Sequence, residues 1–205
     1  MKQTLLIFTK NAIYGQVKTR LAATVGNDIA LQIYQQLLRY TAVVTNDIPV
    51  EKIVFYATNI TNQDVWDNKV YKKHMQLGND LGERMQSALN YAFEHGSTEV
   101  IIIGSDCFEI TADIIKNAFD SLKNYEIVIG PATDGGYYLL GMKQPTPQFF
   151  KQINWSTNEV LATTIGICNS LNFSFYLMPE LSDIDTEEDL KNQKTFINYR
   201  ALQND

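Results

Sequence analysis

The chain has 205 residues, of which 45% are hydrophobic and 20% charged, and a formal net charge of -6. That length suits one domain spanning residues 1–205, and the composition excludes extensive disorder. The acidic balance, with no long basic run, argues against nucleic acid as the main partner, because binding a phosphate backbone usually leaves a basic stripe.

The first apolar run, residues 5–8, reads as a buried strand. It is too short for a membrane span or a signal-peptide core, and Lys10 follows closely. After it, TKNAIYGQVKTRLA is a polar, glycine-containing loop carrying Lys10, Lys18 and Arg20, a cluster suited to phosphates. It is not a Walker loop, since Val17 and Ala12 occupy the two positions where that pattern requires glycine. Residues 28–44 place Ile29, Ile33, Leu37 and Thr41 at helical intervals, with Asn27 available as the cap.

Residues 53–57 read as a second strand, and residues 58–69, without periodicity, as surface. In MQLGNDLGERMQSALNYAFEHG, Asp80 and Glu83 have capping-box spacing. The helix they open has Leu81, Met85, Ala88, Leu89 and Ala92 as its buried stripe, and His95 with Gly96 closes it. Gly78 and Gly82 near its start allow close backbone approach by a ligand, or serve simply as turn residues.

The stretch EVIIIGSDCFEIT, residues 99–111, organises the rest. Residues 100–103 are apolar without alternation, as in a central strand covered on both faces. Gly104 and Ser105 turn the chain out, and Thr111 caps a following helix with Ile114, Ile115, Ala118, Phe119 and Leu122 on one side. Asp106 therefore falls just past a strand's carboxyl end, where open α/β sheets bind ligands, although a turn aspartate satisfying backbone donors has the same local pattern.

Residues 126–130 form another strand, ending in PATDGGYYLLG. Asp134, Gly135 and Gly136 read as a hairpin turn, and Tyr137 and Tyr138 then point to opposite sheet faces, one toward the core and one toward a pocket. Ser156 and Glu159 again have capping-box spacing, opening a helix to about residue 171, with Trp155 read foremost as its hydrophobic staple. A last strand, residues 173–177, precedes ELSDIDTEEDL. There Thr186 and Asp189 fit a capping box, while Asp183 and Asp185 precede the cap with side chains free to point elsewhere.

Neither His74 nor His95 has a partner at metal-ligand spacing, so any metal is expected to be a hard, oxygen-ligated ion. The two cysteines, Cys107 and Cys168, fit neither a zinc site nor a disulfide scaffold, which makes a cytoplasmic location the expectation. No G-x-G-x-x-G follows the first strand, which disfavours a dinucleotide oxidoreductase.

The five breaks in order, FTKNAIYGQVKTRLA, QLGNDLGERM, GSDCFEIT, PATDGGYYLLG and DIDTEEDL, together resemble the DUF2064 group of bacterial proteins. That group is placed in the GT-A glycosyltransferase superfamily, beside the molybdenum-cofactor and phospholactate guanylyltransferases, and the resemblance runs over residues 5–190. It implies a Rossmann-like three-layer α/β/α sandwich with a mixed, mainly parallel sheet. It also implies a nucleotide site drawn from Thr9, Lys10, Gly15, Lys18, Arg20, Gln76, Gly78, Leu81, Gly82, Arg84, Ser105 and Asp106. Asp134, Gly135, Gly136, Tyr137 and Trp155 fall on the substrate side. Asp106 and Asp185 become the ligands of Mg²⁺ or Mn²⁺, and Asp106, Lys18 and Arg20 the catalytic set.

The function implied is glycosyl transfer from a nucleotide-sugar to a small-molecule acceptor. Nucleotidyl transfer from an NTP and a non-catalytic nucleotide-binding role are the alternatives. The chain departs from the family pattern at Phe108, where a proline usually follows GSDC, and in lacking a proline within residues 10–15. The acceptor, the base and the oligomeric state leave no mark on the sequence.

Overall fold

The computed structural model describes residues 1–193, so residues 194–205 of the expected domain lie outside the described residues. In chain order the strands are β1 (Gln3–Thr9), β2 (Glu51–Tyr56), β3 (Tyr71–Met75), β4 (Glu99–Gly104), β5 (Ile127–Pro131), β6 (Tyr137–Met142) and β7 (Phe175–Leu177). The helices are α1 (Thr19–Val25), α2 (Asn27–Asn46), α3 (Leu81–Glu94), α4 (Ala112–Leu122), α5 (Val160–Ser170) and α6 (Glu187–Asn192). The strands form one seven-stranded sheet in the order β3-β2-β1-β4-β6-β5-β7, in which only β6 runs antiparallel to its neighbours. The sheet is therefore mixed and mainly parallel, and β4 lies at its centre as the unbroken apolar run implied.

Strand alternation sends Leu5, Ile7, Ile101 and Ile103 to one face, under α2 and α4, and Leu6, Val100 and Ile102 to the other, under α3 and α5. This makes three layers. A third apolar cluster ties Leu21 of α1 and Ile33 of α2 to Leu190 of α6 and to Ile184 in the segment before it, so the segment carrying Asp183 and Asp185 is anchored beside the loop after β1.

Local signals set several helix starts. Thr111 accepts the Ile114 N–H (3.2 Å), and Thr186 and Asp189 form a complete capping box. At α3 half of the expected box forms: Asp80 accepts the Glu83 N–H (2.8 Å), while Glu83 takes its second bond from the Asn79 N–H (2.7 Å).

Other expectations are corrected. α2 begins at Asn27 itself, with Gly26 (φ 87) as its cap, because glycine tolerates the positive φ needed between α1 and α2. The loop after β1 is shorter than expected, giving way to α1 at Thr19. Residues 58–69 are irregular but not all surface: Trp66 is 2% exposed and meets Tyr71 edge-on at 5.2 Å. Leu81 is not part of the buried stripe of α3; Gly82 takes that place and Leu81 is exposed. The Ser156–Glu159 box does not form. α5 starts only at Val160, without a side-chain cap, and Ser156 sits at φ 64, so Trp155 is no staple for it. Strand β3, unrecognised in the polar sequence YKKHM, is an edge strand with little to bury on its outer side.

Candidate active site

The carboxyl ends of β1 and β4 point to one edge of the sheet, and the loops leaving them enclose a cavity of about 680 Å³. A hydroxyl cluster joins those loops from beneath. The Tyr34 hydroxyl donates to the Lys10 carbonyl (3.1 Å) and accepts the Lys10 N–H (2.9 Å), and the Ser105 hydroxyl donates to Thr9 Oγ1 (3.3 Å). Burial pushes the Tyr34 phenol above its ordinary range, so it stays a neutral donor fixing Lys10 in place. Tyr34 was not singled out in the sequence because on a helix it reads as one more core aromatic.

Asp106 leaves the end of β4 into the cavity. Its loop is braced by the Phe108 ring, which packs on Tyr40 at 4.3 Å, and by the Tyr40 hydroxyl, which donates to the Ile110 carbonyl (2.8 Å). The aromatic pair thus supports the loop where the resembling family has proline. Asp185 arrives from the segment before α6, and Lys18 from the loop before α1. Lys18 Nζ donates to Asp106 Oδ2 (2.9 Å) and to Asp185 Oδ1 (2.8 Å), with its side chain only 4% exposed. Burial alone would lower the Lys18 pKa, but the two carboxylates overcome it and hold the ammonium above its ordinary value. Burial likewise opposes ionisation of Asp185, yet Lys18, with Arg20 and Lys10 farther off, keeps it below the usual carboxylate range.

A third acid, Asp183, also lines the cavity, and its Oδ1 is buried without a hydrogen-bond donor. Burial, reinforced by Asp106, pushes its carboxyl up to about 8. The sequence offered Asp183 only as an acid ahead of a helix cap, with nothing to show that it turns inward.

Of the residues expected at the site, the cavity brings together Thr9, Lys10, Lys18, Arg20, Gln76, Leu81, Arg84, Ser105, Asp106, Asp134, Gly136, Tyr137, Trp155 and Asp185. Gly15, Gly78, Gly82 and Gly135 do not line it. Gly15 is exposed at the loop tip, while the others let the wall close. A Cβ on Gly82 would fall 2.4 Å from Trp155 Nε1, and one on Gly135 would fall 2.3 Å from the Asn158 carbonyl oxygen. Tyr138 packs into the core on one sheet face, and its partner Tyr137 packs partly on the other, both reaching the cavity.

Asp106 and Asp185 aim two hard oxygen donors at one point, now held by the Lys18 ammonium. Among the described residues no third His, Cys, Asp or Glu completes a closed metal cage. Two carboxylates fit a divalent ion of the magnesium type, which takes its remaining ligands from water and substrate oxygens. With Lys10 and Arg20 lining the same cavity, the arrangement sets two carboxylates and several cations next to each other.

The whole architecture is shared with solved structures. A candidate nucleotide-diphospho-sugar transferase from Desulfovibrio desulfuricans G20 matches at TM-score 0.89 and 28% identity, over 100% of this chain and 95% of that one. The inositol-1-phosphate CTP transferase from T. maritima matches at TM-score 0.61 and 12% identity, over 98% and 95% of the two chains. Rv0371c from Mycobacterium tuberculosis H37Rv, in complex with manganese, matches at TM-score 0.55 and 11% identity, over 94% and 97%. No curated protein matches the sequence.

The fold is that of the nucleotide-diphospho-sugar transferases, an α/β architecture on a mixed, mainly parallel sheet. Residues 40–157 match the family model described as an uncharacterized protein conserved in bacteria, DUF2064, and the chain belongs to that family. The matched span includes Gln76, Asp106 and the Asp134 turn but not the loop of Lys18 or the segment of Asp185, which the full-length structural match covers.

Proposed function

We propose that this protein is a divalent-metal-dependent transferase that consumes a nucleotide-sugar and passes the sugar to a small-molecule acceptor. The observation that carries the reading is the convergence of Asp106, Asp185 and Lys18 within 2.9 Å contacts at the mouth of β4, with Lys10 and Arg20 in the same cavity. In glycosyl transfer the bond between the sugar's anomeric carbon and a phosphate oxygen breaks, and the nucleotide leaves carrying the negative charge. Lys10 and Arg20 line the cavity beside the two acids and the Lys18 they hold, and fixed cations there would stabilise that charge and so lower the barrier. Arg20 suits bidentate contact with phosphate oxygens. Mg²⁺ or Mn²⁺ held by Asp106 and Asp185 would supply Lewis-acid neutralisation of the same phosphates. Trp155, Tyr137, Asp134 and Gly136 form the far wall, where the sugar and acceptor have room.

A second reading, nucleotidyl transfer with release of pyrophosphate, is favoured by the fold shared with the T. maritima CTP transferase. The same cations serve it, since charge again develops on phosphate oxygens. The two are separated by incubating the protein with Mg²⁺, pooled NTPs and nucleotide-sugars, and a metabolite extract, then identifying the depleted species by mass spectrometry. Depletion of a nucleotide-sugar with release of nucleotide is the expected result. Pyrophosphate from an NTP would instead establish the second reading, and binding without turnover a non-catalytic role.

A further inference from the structure

Lys18 holds a position that the proposed metal must also use. Its ammonium bonds Asp106 Oδ2 and Asp185 Oδ1, the two oxygens that would ligate the ion, and it does so from a side chain almost wholly removed from solvent. The backbone is committed to this pose as well. Lys18 lies in the left-handed region at φ 46, a conformation that costs a non-glycine residue roughly 1 kcal/mol and persists only where the surroundings enforce it. Lys10 and Arg20, by contrast, line the cavity without a carboxylate ion pair among the described residues. They are ready for phosphate, whereas Lys18 is engaged. One ammonium also leaves the acidic side under-served, since the buried Oδ1 of Asp183 finds no donor in the same cavity.

Resting on the reading of Asp106 and Asp185 as metal ligands, we propose that Lys18 is an exchangeable internal cation. Without ligand it pairs with the two carboxylates and keeps the metal position closed. An arriving phosphate draws the ammonium away, which would leave the two carboxylates free to hold the divalent ion. No covalent bond changes in this exchange; one cation replaces another on the same two oxygens. The consequence is that the metal binds weakly alone and tightly with nucleotide, so the ion is loaded only when there is phosphate charge for it to neutralise.

A purely structural ion pair makes the opposite prediction, because removing its cation would disorder the two carboxylates and weaken any metal binding. Free Mn²⁺ measured by electron paramagnetic resonance, with the full chain and no nucleotide, separates the two. Lys18→Met should bind Mn²⁺ at least about tenfold more tightly than the wild type, since removing a unit positive charge a few ångströms away is worth that much or more even at an effective dielectric near 20. Lys18→Arg, which keeps the charge, should bind no more tightly than wild type. Unchanged or weaker Mn²⁺ binding by Lys18→Met would overturn the proposal, as would the absence of Mn²⁺ binding by both proteins. Should circular dichroism show Lys18→Met unfolded, Lys18→Gln, uncharged but still able to donate hydrogen bonds through its amide, gives the same comparison. Since neither nucleotide nor turnover enters the measurement, a failed transfer assay and a failed exchange are separate results.

Discussion

Gly82 illustrates how single residues set the cavity wall. Its absent Cβ leaves the space that the Trp155 indole fills, at a distance no alanine permits. Gly82→Ala should therefore displace Trp155 and cost about 1–3 kcal/mol, as overpacking does elsewhere. In a Trp66→Phe background, where Trp155 is the remaining tryptophan, a shift in emission would report the displacement, and an unaltered spectrum would refute it. Asp106→Asn should abolish metal-dependent turnover while changing stability by only about 1 kcal/mol, because the side chain is 38% exposed and Asp185 still pairs with Lys18. Paired turnover assays and urea melts check this; an unfolded variant would mean that Asp106 serves the turn rather than the chemistry. Asp106 and the loop cations were legible in the sequence because they follow strand ends that the sequence marks plainly. Tyr34 and Asp183 were not, since their importance lies in which way a helix face and a pre-cap segment turn in space.

Among the elements, the strand ends opposite the cavity have their own fastening. Glu51, at the start of β2, accepts from Lys2 ahead of β1 and from Lys72 on β3, and so joins three parallel strands. Burial works against its ionisation, but the hydrogen bonds from Lys2 and Lys72 outweigh it and hold its pKa down at about 2. A carboxyl depressed in the folded state stabilises above its unfolded pKa, about 4.3, and that stability is lost as pH falls toward 2. Glu51→Gln should thus cost about 1 kcal/mol at pH 7, discounted for the exposed Lys72 partner, and nearly nothing at pH 2. Urea unfolding at both pH values tests it, and a cost independent of pH would rule the ion pairs out as its cause. The elements with self-contained signals were legible: β4 from its apolar run, α4 and α6 from their caps. The start of α5 was not, because its approach is shaped by the packing of Trp155 on Gly82 and by the Leu161 N–H donating to the Gly135 carbonyl (2.9 Å), contacts between distant segments. β3 escaped for a different reason, as an edge strand of lysines and a histidine lacks the pattern of a buried one.

At the scale of the molecule, an acidic chain gathers its cations where they matter. The formal charge is -6, yet Lys10, Lys18 and Arg20 meet at the carboxyl edge of the central strands. Five segments far apart in sequence reach that edge because parallel strands deliver their following loops to the same side. That convergence was foreseeable from the order of strands and breaks. The pairing of Lys18 with both acids was not, since it joins residues 88 and 167 positions apart. The account's central claim is that these groups form one metal–nucleotide site. Its most direct test is calorimetric titration of nucleotide-sugars into the full chain with Mg²⁺ and again with chelator, repeated for Asp106→Asn. Affinity that depends on Mg²⁺ in the wild type, and loses that dependence in Asp106→Asn, is the predicted result; nucleotide affinity indifferent to the chelator in the wild type would contradict it.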